Sequence, residues 1–198
     1  MIYVLITTSL IKKDFELRKE QYNTAINNII KWFNNYKIII IENNGKRETF
    51  LDEFGVDVFY TNNNFQNNEK GFTELKDILD CIDYYSIKDD DFIVKITGRY
   101  ILEKNSNFVT NIKNIDKYDC LIKYGSFIKS VNFKTNDCIT GLIGMKCKYI
   151  KQIEYPNPNE CVEWKWANVT YKIEDTKICI LDNLGIYICP GSNNYFLV

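Results

Sequence analysis

The residues best suited to chemistry follow an apolar run near the middle of the chain. Residues 89–102 have the sequence DDDFIVKITGRYIL. The continuous apolar residues Phe92 to Val94 are typical of a strand buried on both faces, and Gly98 would let the backbone approach a ligand where that strand ends. Arg99 follows, one of only three arginines in the chain, and ligands of open α/β sheets bind beyond the carboxyl ends of the strands. The alternative is an ordinary core strand followed by a turn with a solvated arginine.

A second candidate is a pair of glutamates in residues 160–169, ECVEWKWANV, a segment with helical character. The chain contains no histidine, so acid–base work falls to Asp, Glu, Tyr, Lys or Cys. Glu160 and Glu163 are three residues apart and would share one helical face. A carboxyl group beside Trp164 would have the raised pKa that suits a general base. The alternative is a helix start whose acidic residues suit the helix dipole.

Strands and helices alternate through the first hundred residues. Four apolar runs predict buried strands, at residues 2–6, 38–41, 56–60 and 92–94. Apolar residues at three- and four-residue spacing predict helices over about 12–34 and from Lys70 onward, with a short helix at 47–53. This alternation is typical of a mostly parallel sheet with helices on both faces. The second half has shorter, glycine-punctuated segments, so we predict a single α/β domain with a mixed second half.

Composition narrows the function classes. The chain has 198 residues, a net charge of −1 and 45% hydrophobic residues. It therefore fits one domain with a substantial core and lacks the basic field that binds nucleic acid. The seven cysteines form no Cys-x-x-Cys pair, which argues against a zinc cluster and predicts buried, reduced side chains. The apolar N-terminus is too short to span a bilayer and follows no basic region, so we expect a soluble, cytoplasmic protein.

The polar ends of the predicted strands would form one cleft. They are Thr7-Thr8-Ser9, Glu42-Asn43-Asn44-Gly45, Tyr60-Thr61-Asn62 and Thr97-Gly98-Arg99-Tyr100. Together they suit a nucleoside. Lys70 and Gly71 at a helix start offer backbone N–H groups and a cation to a phosphate, although an ordinary helix start has the same appearance. Neither a Gly-x-Gly-x-x-Gly fingerprint nor a P-loop is present, which disfavours dinucleotide oxidoreductases and P-loop NTPases.

The order of these segments resembles small glycosyltransferases of the GT-A fold. The strand with Thr-Thr-Ser, the helix with Arg18, the strand with Glu-Asn-Asn-Gly, the Lys70-Gly71-x-x-Glu74 helix and the KITGRY strand end carry the resemblance, which covers nearly the whole chain. It is most similar to a viral and bacterial polysaccharide-type group. The resemblance implies that residues 1–102 bind a UDP- or GDP-sugar donor and that residues 103–198 bind a glycan acceptor.

The resemblance also assigns the donor site. It implies that Thr7, Thr8 and Ser9 contact the nucleoside, and that Glu42 with Asn43 recognises the base or ribose. Further donor contacts would come from Arg18, Lys70, Gly71, Thr97, Gly98 and Arg99. The metal-binding Asp-x-Asp motif of such enzymes belongs where this chain has Thr97-Gly98-Arg99, so dependence on Mn²⁺ or Mg²⁺ stays open and Arg99 would take over part of the metal's work. Residues 89–91 precede the strand and, at about 3.3 Å per residue, would lie about 20 Å away in a solvated turn.

On the acceptor side the resemblance gives catalysis to Glu163 or Glu160. One of them would take the proton from the acceptor hydroxyl if the reaction inverts the anomeric centre, and Trp164 and Tyr100 would contact the acceptor sugar. Two alternatives remain. A sugar-nucleotidyltransferase is disfavoured because the first strand lacks a Gly-rich loop, and a catalytically inactive nucleotide- or sugar-binding module is compatible with the missing metal motif.

Overall fold

The computed structural model describes residues 1–10, 15–45, 47–63, 70–157, 160–188 and 195–198. The first four strands are β1 (Ile2–Thr8), β2 (Lys37–Glu42), β3 (Asp57–Tyr60) and β4 (Phe92–Thr97). They pair in parallel in the order β3-β2-β1-β4. The four predicted strands are therefore confirmed, and β1 and β4 extend further toward their polar carboxyl ends than the apolar runs indicated.

Later strands extend this sheet and form small ones beside it. They are β5 (Ile101–Leu102), β6 (Cys120–Ile122), β7 (Tyr124–Gly125), β8 (Ser130–Val131), β9 (Leu142–Lys146), β10 (Ile178–Ile180), β11 (Ile186–Ile188) and β12 (Phe196–Leu197). In the described part of the chain, seven strands form the main sheet in the order β10-β6-β9-β4-β1-β2-β3. β9 is antiparallel to both of its neighbours. The predicted α/β domain with a mostly parallel sheet and a mixed second half is confirmed.

Helices cover both faces of the sheet, as the strand patterns require. They are α1 (Phe15–Phe33), α2 (Lys70–Tyr84), α3 (Asn107–Ile112), α4 (Cys147–Ile150) and α5 (Val162–Val169). One core cluster joins α1 and α3 to the side chains of β4 that alternate from Phe92 to Ile96. A second cluster joins α2, α4 and α5 to the other face of β1, β2 and β4. The alternation leaves Lys95 on the α2 face of β4.

Several predicted boundaries change. The short helix predicted at 47–53 is a 3₁₀ helix that spans Phe50–Phe54. Gly55, in a left-handed conformation, ends this helix. The predicted start of α1 near residue 12 lies outside the described residues, as does Cys189. Four cysteines are buried as predicted, whereas Cys161 is exposed. The division into a donor half and an acceptor half stays a prediction, since β4 and β9 join both halves in one sheet.

The acidic turn before β4 lies at the amino edge of the sheet. Ile2 pairs with Phe92 in register, so residues 89–91 stand at the end opposite the strand's polar terminus. The prediction of a solvated turn is wrong for Asp91. This residue is buried and accepts a hydrogen bond from the N-terminal ammonium at 2.7 Å. Asp89 pairs with Lys151 at 2.8 Å. The turn therefore fastens the chain's first residue to the sheet.

Candidate active site

A cleft of about 710 Å³ opens at the carboxyl ends of β1, β2 and β4. The first turns of α2 and α5 and the segments 125–127 and 137–141 complete its walls. Its volume suits a small-molecule ligand. Most of the predicted site residues line it: Thr7, Thr8, Ser9, Arg18, Asn43, Lys70, Gly71, Thr97, Arg99, Tyr100, Glu163 and Trp164. The cleft therefore brings together residues from both halves of the chain.

Glu42 does not reach the cleft. Its side chain is fully buried, and its carboxylate accepts hydrogen bonds from the backbone N–H groups of Leu10 at 2.9 Å and Asn44 at 3.0 Å, and from the Thr8 hydroxyl at 2.7 Å. Burial raises the pKa of Glu42, and these three hydrogen bonds oppose that rise. The predicted contact between Glu42 and a base or ribose is corrected accordingly: Glu42 fixes the strand ends on which Thr8 and Asn43 are presented.

Gly98 packs against the end of β1 and does not line the cleft. Its N–H donates to the Thr7 carbonyl at 2.9 Å. A Cβ atom at this position would lie 2.8 Å from the Thr8 Cγ2 and 3.1 Å from the Thr7 oxygen. The glycine therefore permits the close approach of the ends of β1 and β4. The groups it accommodates belong to Thr7 and Thr8, and the expected contact between Gly98 and a ligand stays a prediction.

Cationic side chains line the cleft. Lys70 is exposed at the first residue of α2, and Arg18 lies on α1. Neither forms an ion pair with any residue that the structure describes. Arg99 lines the same cleft immediately after β4. Positive charge beside the N-terminus of a helix is suited to a phosphate group.

An ion pair that no sequence motif indicated lies on the floor of the cleft. Lys95 is only 1% exposed, and its ammonium lies 2.9 Å from a carboxylate oxygen of Glu74 on α2. The same oxygen accepts the Thr7 hydroxyl at 2.6 Å. A lysine within an apolar strand is the signal that was present, because a buried ammonium requires a partner. Which residue provides that partner is a matter of tertiary structure.

A buried polar network supports the neighbouring wall. Asp77 accepts hydrogen bonds from Thr61, from Asn63 at 2.7 Å and from the Asn43 amide at 3.0 Å. Burial raises the pKa of Asp77, and these hydrogen bonds oppose the rise. The bond to Asp77 fixes the Asn43 amide, whose Oδ1 is buried without a hydrogen-bond partner among the described residues. Asn43 therefore stands rigidly in the cleft wall with an unused acceptor.

The two predicted catalytic glutamates have different surroundings. Glu163 lies in the first turn of α5, lines the cleft and accepts a long hydrogen bond, 3.5 Å, from the Thr140 hydroxyl. Glu160 precedes the helix, which begins at Val162, so the predicted common helical face is wrong. Glu160 pairs with Lys165 at 2.8 Å, and this contact lowers its pKa, contrary to the raised value expected beside a tryptophan. It borders a separate small cavity rather than the cleft.

The acidic side chains of the cleft do not form a metal site. Glu74 is paired with Lys95, and Asp77 is buried beneath three donors. Asp137 and Glu163 are the other two acids on the wall. Across the residues that the structure describes, no group of three or more His, Cys, Asp and Glu side chains is placed to hold a metal ion. Dependence on Mn²⁺ or Mg²⁺ therefore stays the open prediction that the missing Asp-x-Asp motif left.

Solved structures with the same fold are transferases. A protein from Bacillus anthracis assigned as a glucose-1-phosphate thymidylyltransferase, in complex with sucrose, superposes with a TM-score of 0.59 at 13% identity over 91% of this chain and 86% of that one. The mannosyltransferase PcManGT from Pyrobaculum calidifontis, in complex with GDP-Man and Mn²⁺, superposes with a TM-score of 0.58 at 7% identity over 91% of this chain and 56% of that one.

A third structure, from Desulfovibrio desulfuricans, is assigned as a nucleotide-diphospho-sugar transferase. It gives a TM-score of 0.50 at 10% identity over 91% of this chain and 79% of that one. These similarities show that the chain has the nucleotide-diphospho-sugar transferase fold. No protein-family model and no curated protein sequence matches the chain. Among the described residues, no helix has the length and apolar character needed to cross a bilayer.

Proposed function

We propose that the protein is a glycosyltransferase that moves a sugar from a nucleoside-diphosphate sugar to a hydroxyl group of a glycan. The observation that carries the proposal is that positively charged side chains and a carboxylate line the same cleft. Arg18 and Lys70, cations without ion-pair partners in the described chain, share it with the carboxylate of Glu163. The cations would bind the anionic diphosphate of the donor, and the carboxylate would take the proton from the acceptor hydroxyl.

The diphosphate would bind at the start of α2. The first N–H groups of that helix and its dipole favour an anion. Gly71 lets this turn pack closely against α5, because a Cβ there would lie 2.7 Å from the Val162 Cγ1. Lys70 and Arg99 would offset the charge that develops on the diphosphate as it leaves. The nucleoside would contact Thr7, Thr8 and Ser9, with Asn43 beside them in the wall of the cleft.

Glu163 would act as the general base. It would take the proton from the acceptor hydroxyl while that oxygen bonds to the anomeric carbon and the bond to the diphosphate breaks. Thr140 orients the carboxylate through its hydroxyl. Trp164, which is 40% exposed on the same helix turn, would pack against the acceptor sugar. Because Glu160 is engaged with Lys165, we assign no proton transfer to it.

The neighbours with this fold support a nucleotide-sugar donor, and GDP-Man in the mannosyltransferase is one example. A viral or bacterial role in polysaccharide synthesis remains part of the proposal. That neighbour also contains Mn²⁺, whereas no group of three or more metal-ligating side chains occurs among the described residues here. The thymidylyltransferase neighbour supports a second candidate, a sugar-nucleotidyltransferase. That reaction would consume a nucleoside triphosphate and a sugar phosphate and release pyrophosphate.

The test measures donor use directly. Purified protein is incubated with UDP-, GDP-, CMP- and dTDP-sugars, and binding is followed by thermal shift and turnover by release of the free nucleotide. Glu163→Gln should reduce turnover by about 100-fold or more, the usual contribution of a general base, while donor binding persists. Glu160→Gln should stay within about twofold of wild type. Pyrophosphate release from triphosphates without any use of nucleotide sugars would favour the second candidate.

A further inference from the structure

Glu74 presents one engaged and one unengaged carboxylate oxygen at the floor of the cleft. Its Oε1 accepts the Thr7 hydroxyl at 2.6 Å and lies 2.9 Å from the Lys95 ammonium. Its Oε2 has no hydrogen bond or ion pair with any residue of the described chain. The side chain is 27% exposed and lines the cleft. The geometry therefore leaves a fixed acceptor facing the space where a ligand binds.

Lys95 positions this carboxylate and has nothing left for a ligand. Its ammonium lies 2.9 Å from the Glu74 Oε1 and donates hydrogen bonds to the Thr140 carbonyl at 2.8 Å and to the Thr97 hydroxyl at 3.2 Å. An ammonium has three donors, so this set is complete. The ligand-facing group of the pair is consequently the carboxylate, which accepts hydrogen bonds from hydroxyl groups and repels phosphates.

The location of Glu74 indicates which part of a nucleotide-sugar donor, the ribose or the transferred sugar, its carboxylate would contact. It lies four residues after Lys70 on α2, hence on the same face and one turn from the proposed diphosphate site. On its other side, Lys95 bonds to the Thr140 carbonyl, and the Thr140 hydroxyl contacts Glu163. Glu74 thus stands between the diphosphate site and the proposed base. The ring that occupies this interval in a nucleotide sugar is the transferred sugar.

We infer that Glu74 recognises hydroxyl groups of the transferred sugar and that Lys95 is the residue that positions it. The inference rests on the proposed function, because it requires a nucleotide-sugar donor in this cleft. It assigns the sugar-binding subsite to the floor formed by α2, β1 and β4, where the sequence motifs gave no role to Glu74 or Lys95. The expected ligand class is a hydroxylated sugar ring linked to a nucleoside diphosphate.

Paired titrations separate the sugar from the nucleotide. Isothermal titration calorimetry gives the Kd of UDP and UDP-glucose, and of GDP and GDP-mannose, for wild type and for Glu74→Gln. The amide keeps an oxygen for Thr7 and Lys95 but removes the charge. Glu74→Gln should weaken the better sugar nucleotide about tenfold or more, as expected for a hydrogen bond to a charged group. The matching nucleoside diphosphate should bind no more weakly than to wild type, because the variant leaves the Lys95 charge in place. Lys95→Met should instead weaken both ligands, because it leaves the Glu74 charge unpaired near the diphosphate, and Glu20→Gln on the exposed face of α1 should change neither.

Deoxy donors test the contact without altering the fold. A donor that lacks the hydroxyl bound by Glu74 should bind wild type more weakly but bind Glu74→Gln no more weakly than the parent sugar nucleotide does. Equal weakening of the diphosphate and the sugar nucleotide in Glu74→Gln would overturn the inference and point to ribose. Unchanged affinity for both would also overturn it. Failure of wild type to bind any of the four ligands would instead refute the proposed function, and the inference with it.

Discussion

Replacing Glu42 tests whether this buried carboxylate organises the cleft or binds the ligand. In Glu42→Ala the backbone N–H groups of Leu10 and Asn44 lose their acceptor, while Thr8 keeps a second acceptor in the Ile41 carbonyl at 2.9 Å. Each orphaned donor costs about 1–3 kcal/mol, so the free energy of unfolding should fall by about 2–6 kcal/mol. For a chain of this size the melting temperature would fall by at least about 4 °C.

Glu42→Gln should behave differently. Its amide oxygen can accept from both backbone groups, and its NH₂ group can donate to the Thr8 hydroxyl, which then donates to Ile41. We expect the free energy of unfolding to change by less than about 1 kcal/mol. The pKa of Glu42 is raised above its ordinary value of 4.5 by burial. Its protonation therefore stabilises wild type fully below about pH 4.5, and this contribution is lost as the pH rises through the folded-state pKa. Glu42→Gln lacks this pH dependence.

The assay is urea denaturation of wild type and both variants between pH 4 and pH 8, with Glu20→Ala and Glu20→Gln as exposed controls on α1. The stability of Glu42→Gln relative to wild type should improve as the pH rises. If Glu42→Ala unfolds within about 1 kcal/mol of wild type, the hydrogen-bond argument is wrong. If Glu42→Gln folds normally but no longer binds UDP or GDP, Glu42 contacts the ligand directly and our correction of that prediction fails.

Two further predictions concern the end of β4. Gly98→Ala places a methyl group 2.8 Å from the Thr8 Cγ2, so we expect a loss of about 1–3 kcal/mol in the free energy of unfolding, measured by urea denaturation; an unchanged midpoint would contradict the close approach of β1 and β4. Because the described residues offer no metal-binding cluster, the Kd of UDP and GDP in EDTA should lie within about threefold of the Kd in Mn²⁺, and binding that requires the metal would show that a ligand set has been missed.

The meeting of the strand ends in one cleft was predictable, because the apolar runs identify the strands and strands paired in parallel end at the same edge of the sheet. Thr7 and Thr97 are paired residues of β1 and β4, and each follows an apolar run that the sequence displays openly. Once the strands are recognised, their carboxyl ends must meet at one edge. The residues of the cleft that sequence order alone identifies are those attached to these ends.

Side-chain direction was not predictable from the same signals. The polar loop after β2 shows Glu42 at a strand end, but only the path of the chain after β1 brings Leu10 to its carboxylate. Glu160 and Glu163 have helical spacing, but the helix begins between them. Lys95 is visible as a charge inside an apolar strand, whereas its partner Glu74 comes from a helix earlier in the chain. In each case a contact between segments distant in sequence decides which atoms face the ligand.

The Lys95–Glu74 pair offers a physical reason why a carboxylate could lie in a cleft that binds the proposed anionic donor. Two like unit charges 4 Å apart repel by about 4 kcal/mol at an effective dielectric constant near 20, so an unpaired Glu74 would oppose binding of a diphosphate. With the Lys95 ammonium 2.9 Å from Oε1, the pair is nearly neutral to a phosphate further away. At hydrogen-bond distance the second oxygen still acts as a strong acceptor. Under the proposed function, a buried lysine in β4 would thus allow one cleft to combine recognition of hydroxyl groups with attraction of phosphate by Lys70 and Arg18.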